Sequence, residues 1–360
     1  MLTEAPPTDL LDRVAADFRS KPFVPPRVLT HGDLQTLGAY FWRGRYRPRD
    51  VTDDEERLFQ VDSETKVLAR CRWQPDRTER ATLVLWHGVE GSTTSAYMLA
   101  TAAKAFAAGF NVARVNIRNC GGTEHLTPTL YHGGMSGDAR AVIQELIDRD
   151  RLPRIFVGGF SLGGNVILKM AGEYGDQAPA ALAGVIAISP SVDLRASSDL
   201  LMTRRNLIYH KDFLYYLKRR IKAKEKLFPG RYDSSGLHHI KTLRQFDDTY
   251  IAPAFGFAGV DDYYAKASSL PYINRIRVPT LFLQAQDDPL VPIGPLSEIM
   301  NGFSQQELID EVRFAANPHV LLITPARGGH VAFLSAGSEG EDRFWAENRL
   351  IDFCRSLTER

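Results

Sequence analysis

Gly159-Phe160-Ser161-Leu162-Gly163 sets a serine between two glycines, one two residues before it and one two residues after. An apolar run, RIFVGGF (154–160), precedes the serine, and a helical pattern over 162–174 follows it. A serine on so tight a strand-to-helix turn presents its hydroxyl beyond the end of the strand. The turn closes only where flanking positions lack side chains. The helix start also leaves the backbone N–H of Leu162 free, where negative charge would develop on an attacked carbonyl. The chemistry implied is nucleophilic attack by Ser161. A glycine-rich turn with an incidental serine is the competing reading, and the strand and helix on either side argue against it.

A serine hydroxyl is a weak nucleophile without an adjacent base. Arg327-Gly328-Gly329-His330 follows the apolar run HVLLIT (319–324), and its glycines allow the loop to fold back, so His330 is the candidate base. The base needs an acid to fix its tautomer. Gln286-Asp287-Asp288-Pro289-Leu290-Val291-Pro292 follows VPTLFLQA (278–285) and offers two aspartates. Asp288 is preferred, because common hydrolases carry an aspartate three residues before the V-P pair, and Asp287 remains open. Asp193, after LAGVIAIS (182–189), is a third candidate, read rather as a helix N-cap. The chain order Ser, Asp, His is that of the α/β-hydrolases. The second oxyanion donor is expected from His87-Gly88-Val89-Glu90-Gly91, directly after ATLVLW (81–86), through the N–H of Val89. His87 reads as structural, with its ring bonded inside the loop.

Other reactive side chains fit bland roles better. Cys120 reads as a packed loop cysteine. His210, His238 and His239 lack metal-ligand spacing, so no metal site is expected, and no cofactor is called for. Lys218, Arg219, Arg220, Lys222, Lys224 and Lys226, opposed only by Glu225, read as a solvated helix face. A second reading is attraction to anionic lipid headgroups, a weak peripheral membrane contact.

The elements that must position these residues follow from periodicity. Residues 57–73 alternate apolar and polar around a turn at 62–65, which predicts an antiparallel hairpin. Continuous apolar runs at 81–86, 110–117, 154–160, 182–189, 278–285 and 319–324 predict strands buried on both faces. Helical patterns at 95–108, 135–150, 162–174 and 341–357 alternate with them. This is a mostly parallel central sheet with helices on both faces. The interval 194–270 breaks the rhythm and reads as helices, with Phe213, Leu217 and Ile221 on one face. The expected organisation is an N-terminal extension (1–56) with a short helix at 10–18, a core in two parts (57–193 and 271–360), and a helical cap insertion (194–270).

Composition sets outer limits. With 44% hydrophobic and 24% charged residues, the 360-residue chain can bury a large core. A formal net charge of +1 gives no ground for a nucleic-acid partner. No uncharged apolar run reaches the length of about 18 residues that a membrane helix needs. The N-terminus lacks the apolar stretch of a signal peptide. Three widely spaced cysteines, Cys71, Cys120 and Cys354, do not suggest a disulfide framework, so a cytoplasmic setting is expected. The oligomeric state is not legible.

Several further motifs carry a resemblance. They are His31-Gly32-Asp33-Leu34-Gln35-Thr36-Leu37, the run from Asn116 to Thr123, Leu130-Tyr131-His132 with Gly134 through Asp138, the run from Thr242 to Asp248, and Asp262-Tyr263-Tyr264. With His87-Gly88-Val89-Glu90-Gly91, Asp287-Asp288-Pro289 and Gly328-Gly329-His330-Val331, they resemble the YheT-like branch of the α/β-hydrolases, related to eukaryotic medium-chain acyl esterases and acyltransferases. The resemblance spans roughly residues 20–355, and departs at Cys120, where glycine is more usual. It implies the α/β-hydrolase fold and a serine esterase acting on a carboxylic ester or lipid-like substrate with a short or medium acyl chain. It equally admits acyl transfer to an alcohol, or a surface-acting lipase or phospholipase. A non-catalytic binding protein on the same fold is a reading of another class.

Overall fold

The computed structural model describes residues 7–43, 54–299, 312–337 and 340–358. Nine strands form one sheet among them, in the order β1-β2-β4-β3-β5-β6-β7-β9-β8. The hairpin of β1 (Glu55–Gln60) and β2 (Lys66–Arg72) is antiparallel and forms one edge. The next six strands run parallel: β4 (Asn111–Val115), β3 (Thr82–Trp86), β5 (Ile155–Phe160), β6 (Leu182–Ile188), β7 (Thr280–Leu283) and β9 (Val320–Ile323). A short antiparallel strand, β8 (Val312–Phe314), closes the other edge. The sequence reading did not anticipate β8, which is too brief to show a period.

Alternation along each strand divides the core into two layers. On β3, Leu83 and Leu85 face a layer completed by α1 (Pro7–Ser20), α3 (Ala96–Ala107) and α11 (Trp345–Ser356). Val84 and Trp86 face the opposite layer, built from α4 (Ser136–Asp148), α5 (Leu162–Tyr174) and the segment between β6 and β7. With helices on both faces every parallel strand is buried, which explains the unbroken apolar runs.

The N-terminal region differs from expectation in detail. Helix α1 starts at Pro7, and a second helix, α2 (Gly32–Arg43), follows it. Leu34, Leu37 and Phe41 of α2 are exposed, while Gln35 is fully buried. Among the described side chains these apolar residues therefore trace no core-facing stripe, and the pattern hides the helix.

Between β6 and β7 the chain forms α6 (Leu194–Leu201), α7 (Leu207–Leu227), α8 (Leu243–Phe246), a π-helical turn at Asp247–Ile251, α9 (Ala252–Ala254) and α10 (Val260–Ala267). The basic run on α7 is not one solvated face. Arg220 and Lys224, four residues apart, both turn inward. Arg220 pairs with Glu90 and donates to the Asn119 carbonyl, and Lys224 donates to the carbonyls of Glu124 and Thr127. Burial and the neighbouring Arg220 pull the Lys224 ammonium pKa down to about 8. Lys218 donates to the Ile240 carbonyl at 2.6 Å. Only Arg219, Lys222 and Lys226 remain exposed. No described helix is long and apolar enough to cross a membrane.

Candidate active site

Ser161 is the single residue between β5 and α5, and its backbone is held at φ 53°, ψ −119°. That conformation is costly for any residue with a side chain and persists only where the surroundings enforce it. Close packing does so here. A Cβ at Gly159 would lie 2.5 Å from the Gly163 carbonyl oxygen, and one at Gly163 would lie 2.4 Å from that of His87. Both glycines are therefore obligatory, and the turn lifts the Ser161 side chain into a cleft.

His330 reaches the same point from the loop after β9. Its Nε2 lies 3.0 Å from Ser161 Oγ, and its Nδ1 lies 2.8 Å from Asp288 Oδ2. The Asp288 side chain is fully buried. Its Oδ1 accepts from the amides of Leu290 (2.8 Å) and Val291 (3.0 Å), and Oδ2 accepts from Gln284 Nε2 at 3.1 Å. These donors fix the carboxylate in place. Asp287 points elsewhere: its Oδ1 accepts from the Gly329 amide at 2.9 Å and so ties down the histidine loop. Burial pushes the Asp287 carboxyl pKa up. Asp193 caps α6 by accepting from the Ala196 amide at 3.0 Å. The structure thus brings Ser161, His330 and Asp288 together, and leaves Asp287 and Asp193 outside that chain of hydrogen bonds.

Helix α2 braces the histidine loop, a role the sequence reading did not assign. The His330 amide donates to Thr36 Oγ1 at 2.9 Å. Gln35 donates to the Leu334 carbonyl at 3.0 Å and accepts from the Leu334 amide at 2.9 Å. Gly329 sits at φ +62°, and a Cβ there would meet the Gly32 carbonyl at 2.5 Å. The signal was present in the polar pair Gln35-Thr36, embedded in a motif quoted only for its resemblance.

The loop after β3 passes over the serine. A Cβ on Gly88 would lie 3.0 Å from that of Ser161. Val89 and Leu162 both line the cleft with Ser161, and among the described residues neither amide donates to another backbone group. His87 is wholly buried. Its Nε2 lies 3.0 Å from the Ile117 amide, which can only donate, so the ring proton sits on Nδ1 and bonds the Gly88 carbonyl at 2.7 Å. Burial lowers the His87 pKa to about 4, which keeps the ring neutral. Glu90, at φ 54°, accepts from Arg220 Nη2 at 2.6 Å and from the Tyr131 hydroxyl at 2.8 Å. Helix α7 therefore grips the residue next to Val89.

The remaining candidates have structural surroundings. Cys71, Cys120 and Cys354 are free and buried, and burial pushes the Cys120 thiol up to about 12. His210 Nε2 accepts from the Leu243 amide at 3.1 Å. The rings of His238 and His239 pack on one another with centroids 3.8 Å apart.

The cleft above Ser161 measures about 840 Å³ including its open mouth. Its wall is largely apolar and joins the core to the helical segment, with Leu162 and Val291 on one side and Phe213, Leu217 and Phe246 on the other. A reacting carbonyl in this cleft would meet a hydroxyl, an imidazole and free amides beside a largely apolar wall.

Comparison with known proteins agrees with this geometry. Residues 81–336 match the family model described as the alpha/beta hydrolase fold. YheT of Escherichia coli (strain K12) is 27% identical over 342 residues, covering 94% of this chain and 95% of YheT. The monoacylglycerol lipase of Saccharomyces cerevisiae is 29% identical over 281 residues, covering 76% of this chain and 58% of the lipase. The solved structure of the Pyrococcus furiosus esterase Pf2001 aligns with a TM-score of 0.54 at 17% identity, covering 94% of this chain and 98% of that one, a likeness of fold. The chain belongs to the α/β-hydrolase family, and within it is an esterase-type enzyme of the YheT-like branch.

Proposed function

We propose that this protein is a serine carboxylesterase acting on short- to medium-chain acyl esters through an acyl-enzyme on Ser161. The observation that carries the reading is the continuous hydrogen-bond chain from Ser161 through His330 to Asp288, opening into an apolar cleft. His330 takes the proton from Ser161 as its oxygen attacks the ester carbonyl. The amides of Val89 and Leu162 hold the oxyanion. His330 then returns the proton to the leaving alcohol, and activates a water that releases the acid. Asp288 keeps the His330 proton on Nδ1 and stabilises the imidazolium. The helical insertion acts as a cap over the acyl cleft. Hydrolysis of p-nitrophenyl esters of graded acyl length, by wild type and Ser161→Ala, tests this. Activity confined to the wild type, with an optimum at short or medium chains, supports it. Equal activity in both proteins refutes the assignment of Ser161. Inactivity of both shifts weight to acyl transfer or to a binding role.

A second reading, a surface-acting lipase, draws support from the outer face of α7. Ile208 and Tyr215 are exposed there beside Lys211, Arg219, Lys222 and Lys226. Such a face suits an anionic lipid surface. Co-sedimentation with anionic vesicles that weakens with salt would favour it, and no binding at low salt would dismiss it.

A further inference from the structure

The cleft has two polar poles. Ser161 and His330 form one, on the core. The other is built wholly by the helical insertion: Asp247 in the π-helical turn, Tyr264 on α10 and Ser198 on α6. The Tyr264 hydroxyl lies 2.7 Å from Asp247 Oδ2 and 3.0 Å from Ser198 Oγ. Leu194, Leu243, Phe246 and Ile251 make the wall around this pole apolar.

A carboxyl group in such a wall is an expense without a visible return. Among the described residues no cation pairs with Asp247, and its Oδ1 has no hydrogen-bond partner. The proposed chemistry at Ser161 makes no use of it. Burial pushes its pKa up to about 7, which makes the neutral acid readily available. A neutral carboxyl donates as well as accepts, and so do the hydroxyls of Tyr264 and Ser198. Three adjacent groups of this kind match a ligand group that is itself both donor and acceptor, an alcohol hydroxyl. The π-helical turn that carries Asp247 is a rare irregularity, frequent at functional sites. A purely apolar acyl chain laid here would desolvate Asp247 Oδ1 without giving it a partner, a cost that an ordinary hydrocarbon pocket avoids.

We infer that Asp247, Tyr264 and Ser198 form a hydroxyl-recognising subsite, so that the preferred ester carries a hydroxyl on the part lying against the insertion. The inference rests on the esterase reading only for where the ester bond sits. Binding of short 1-alkanols and the matching α,ω-diols to the Ser161→Ala protein, followed by calorimetry, tests the subsite without turnover. In an apolar cleft the second hydroxyl should weaken binding. A site built for it should favour at least one diol over its mono-alcohol by about tenfold or more. Asp247→Leu should erase that preference. Tyr264→Phe, which removes the hydroxyl joining Asp247 to Ser198, should reduce it and serves if the leucine variant does not fold. Diols that bind no tighter than mono-alcohols overturn the inference. So does a preference that survives in a folded Asp247→Leu protein, or one undiminished in Tyr264→Phe if the leucine variant does not fold. In the wild type, Asp247→Leu should raise kcat/KM on plain p-nitrophenyl alkanoates and lower it on their ω-hydroxy counterparts. If Ser161 proves not to be the nucleophile, the binding result still decides the subsite.

Discussion

Asp287 and Asp288 are neighbours of the same type, and their roles separate only in three dimensions. Asp288 reaches the His330 imidazole while two following amides hold its other oxygen. Asp287 bonds the Gly329 amide instead. Asp288→Asn should leave the loop folded but remove the acceptor that sets the His330 tautomer, lowering kcat by roughly 10³–10⁴. Asp287→Asn should only loosen the loop, with a loss of at most about 10². Steady-state kinetics of the two variants on one ester would check the order, and a reversed order would move the acid to Asp287. Ser161 and His330 were legible because each follows an unmistakable strand with glycines beside it. The choice within the aspartate pair was less so. The usable signal was that Asp288 precedes Pro289-Leu290-Val291, where an aspartate side chain can cap the amides two and three residues on.

Element by element, the buried parallel strands and their partner helices were legible because burial on both faces leaves nothing but apolar residues. Helix α7 was legible as a helix but not in its orientation. A run of basic residues reads as solvated unless carbonyls and a carboxylate await it, and those come from loops far earlier in the chain, 97 to 130 residues away. Arg220 is the case with consequences. It grips Glu90, whose neighbour Val89 is the proposed oxyanion donor. Arg220→Met leaves the Glu90 charge buried without its partner, and should cost about 3–5 kcal/mol of stability. Adding Glu90→Gln should restore part of that loss, because the uncompensated charge is gone. Urea unfolding of the single and double variants reads this directly, and strict additivity would contradict the coupling. Helix α2 was missed for the opposite reason. Among its described side chains the buried ones are Gln35 and small residues, so they advertise no apolar stripe.

For the molecule as a whole, the mostly parallel sheet with helices on both faces follows from the sequence, whereas the buried titratable groups do not. His87 is enclosed, and His132 is half-buried against Phe255, Phe257 and Tyr263. Burial lowers their pKa values to about 4 and about 3, from an ordinary 6.5. Below pH 6.5 the unfolded chain takes up protons that the folded one refuses. The stability tied to these rings is therefore complete above pH 6.5. It falls by roughly 1.4 kcal/mol per pH unit for each histidine as the medium is acidified towards their folded values. The difference in unfolding free energy between wild type and His132→Gln, followed from pH 8 downward, should be constant at first and then shrink by about that slope. A difference independent of pH would show that His132 protonates freely in the folded protein.

All of these expectations gather around one atom, Ser161 Oγ. A fluorophosphonate probe reacts with a serine only where a base activates it and an oxyanion site receives the phosphoryl oxygen. Mass spectrometry of the treated protein should find one adduct, on the peptide carrying Gly159 to Gly163, absent from Ser161→Ala and nearly absent from His330→Ala. An adduct on another residue, or equal labelling of the Ser161→Ala protein, would contradict the account.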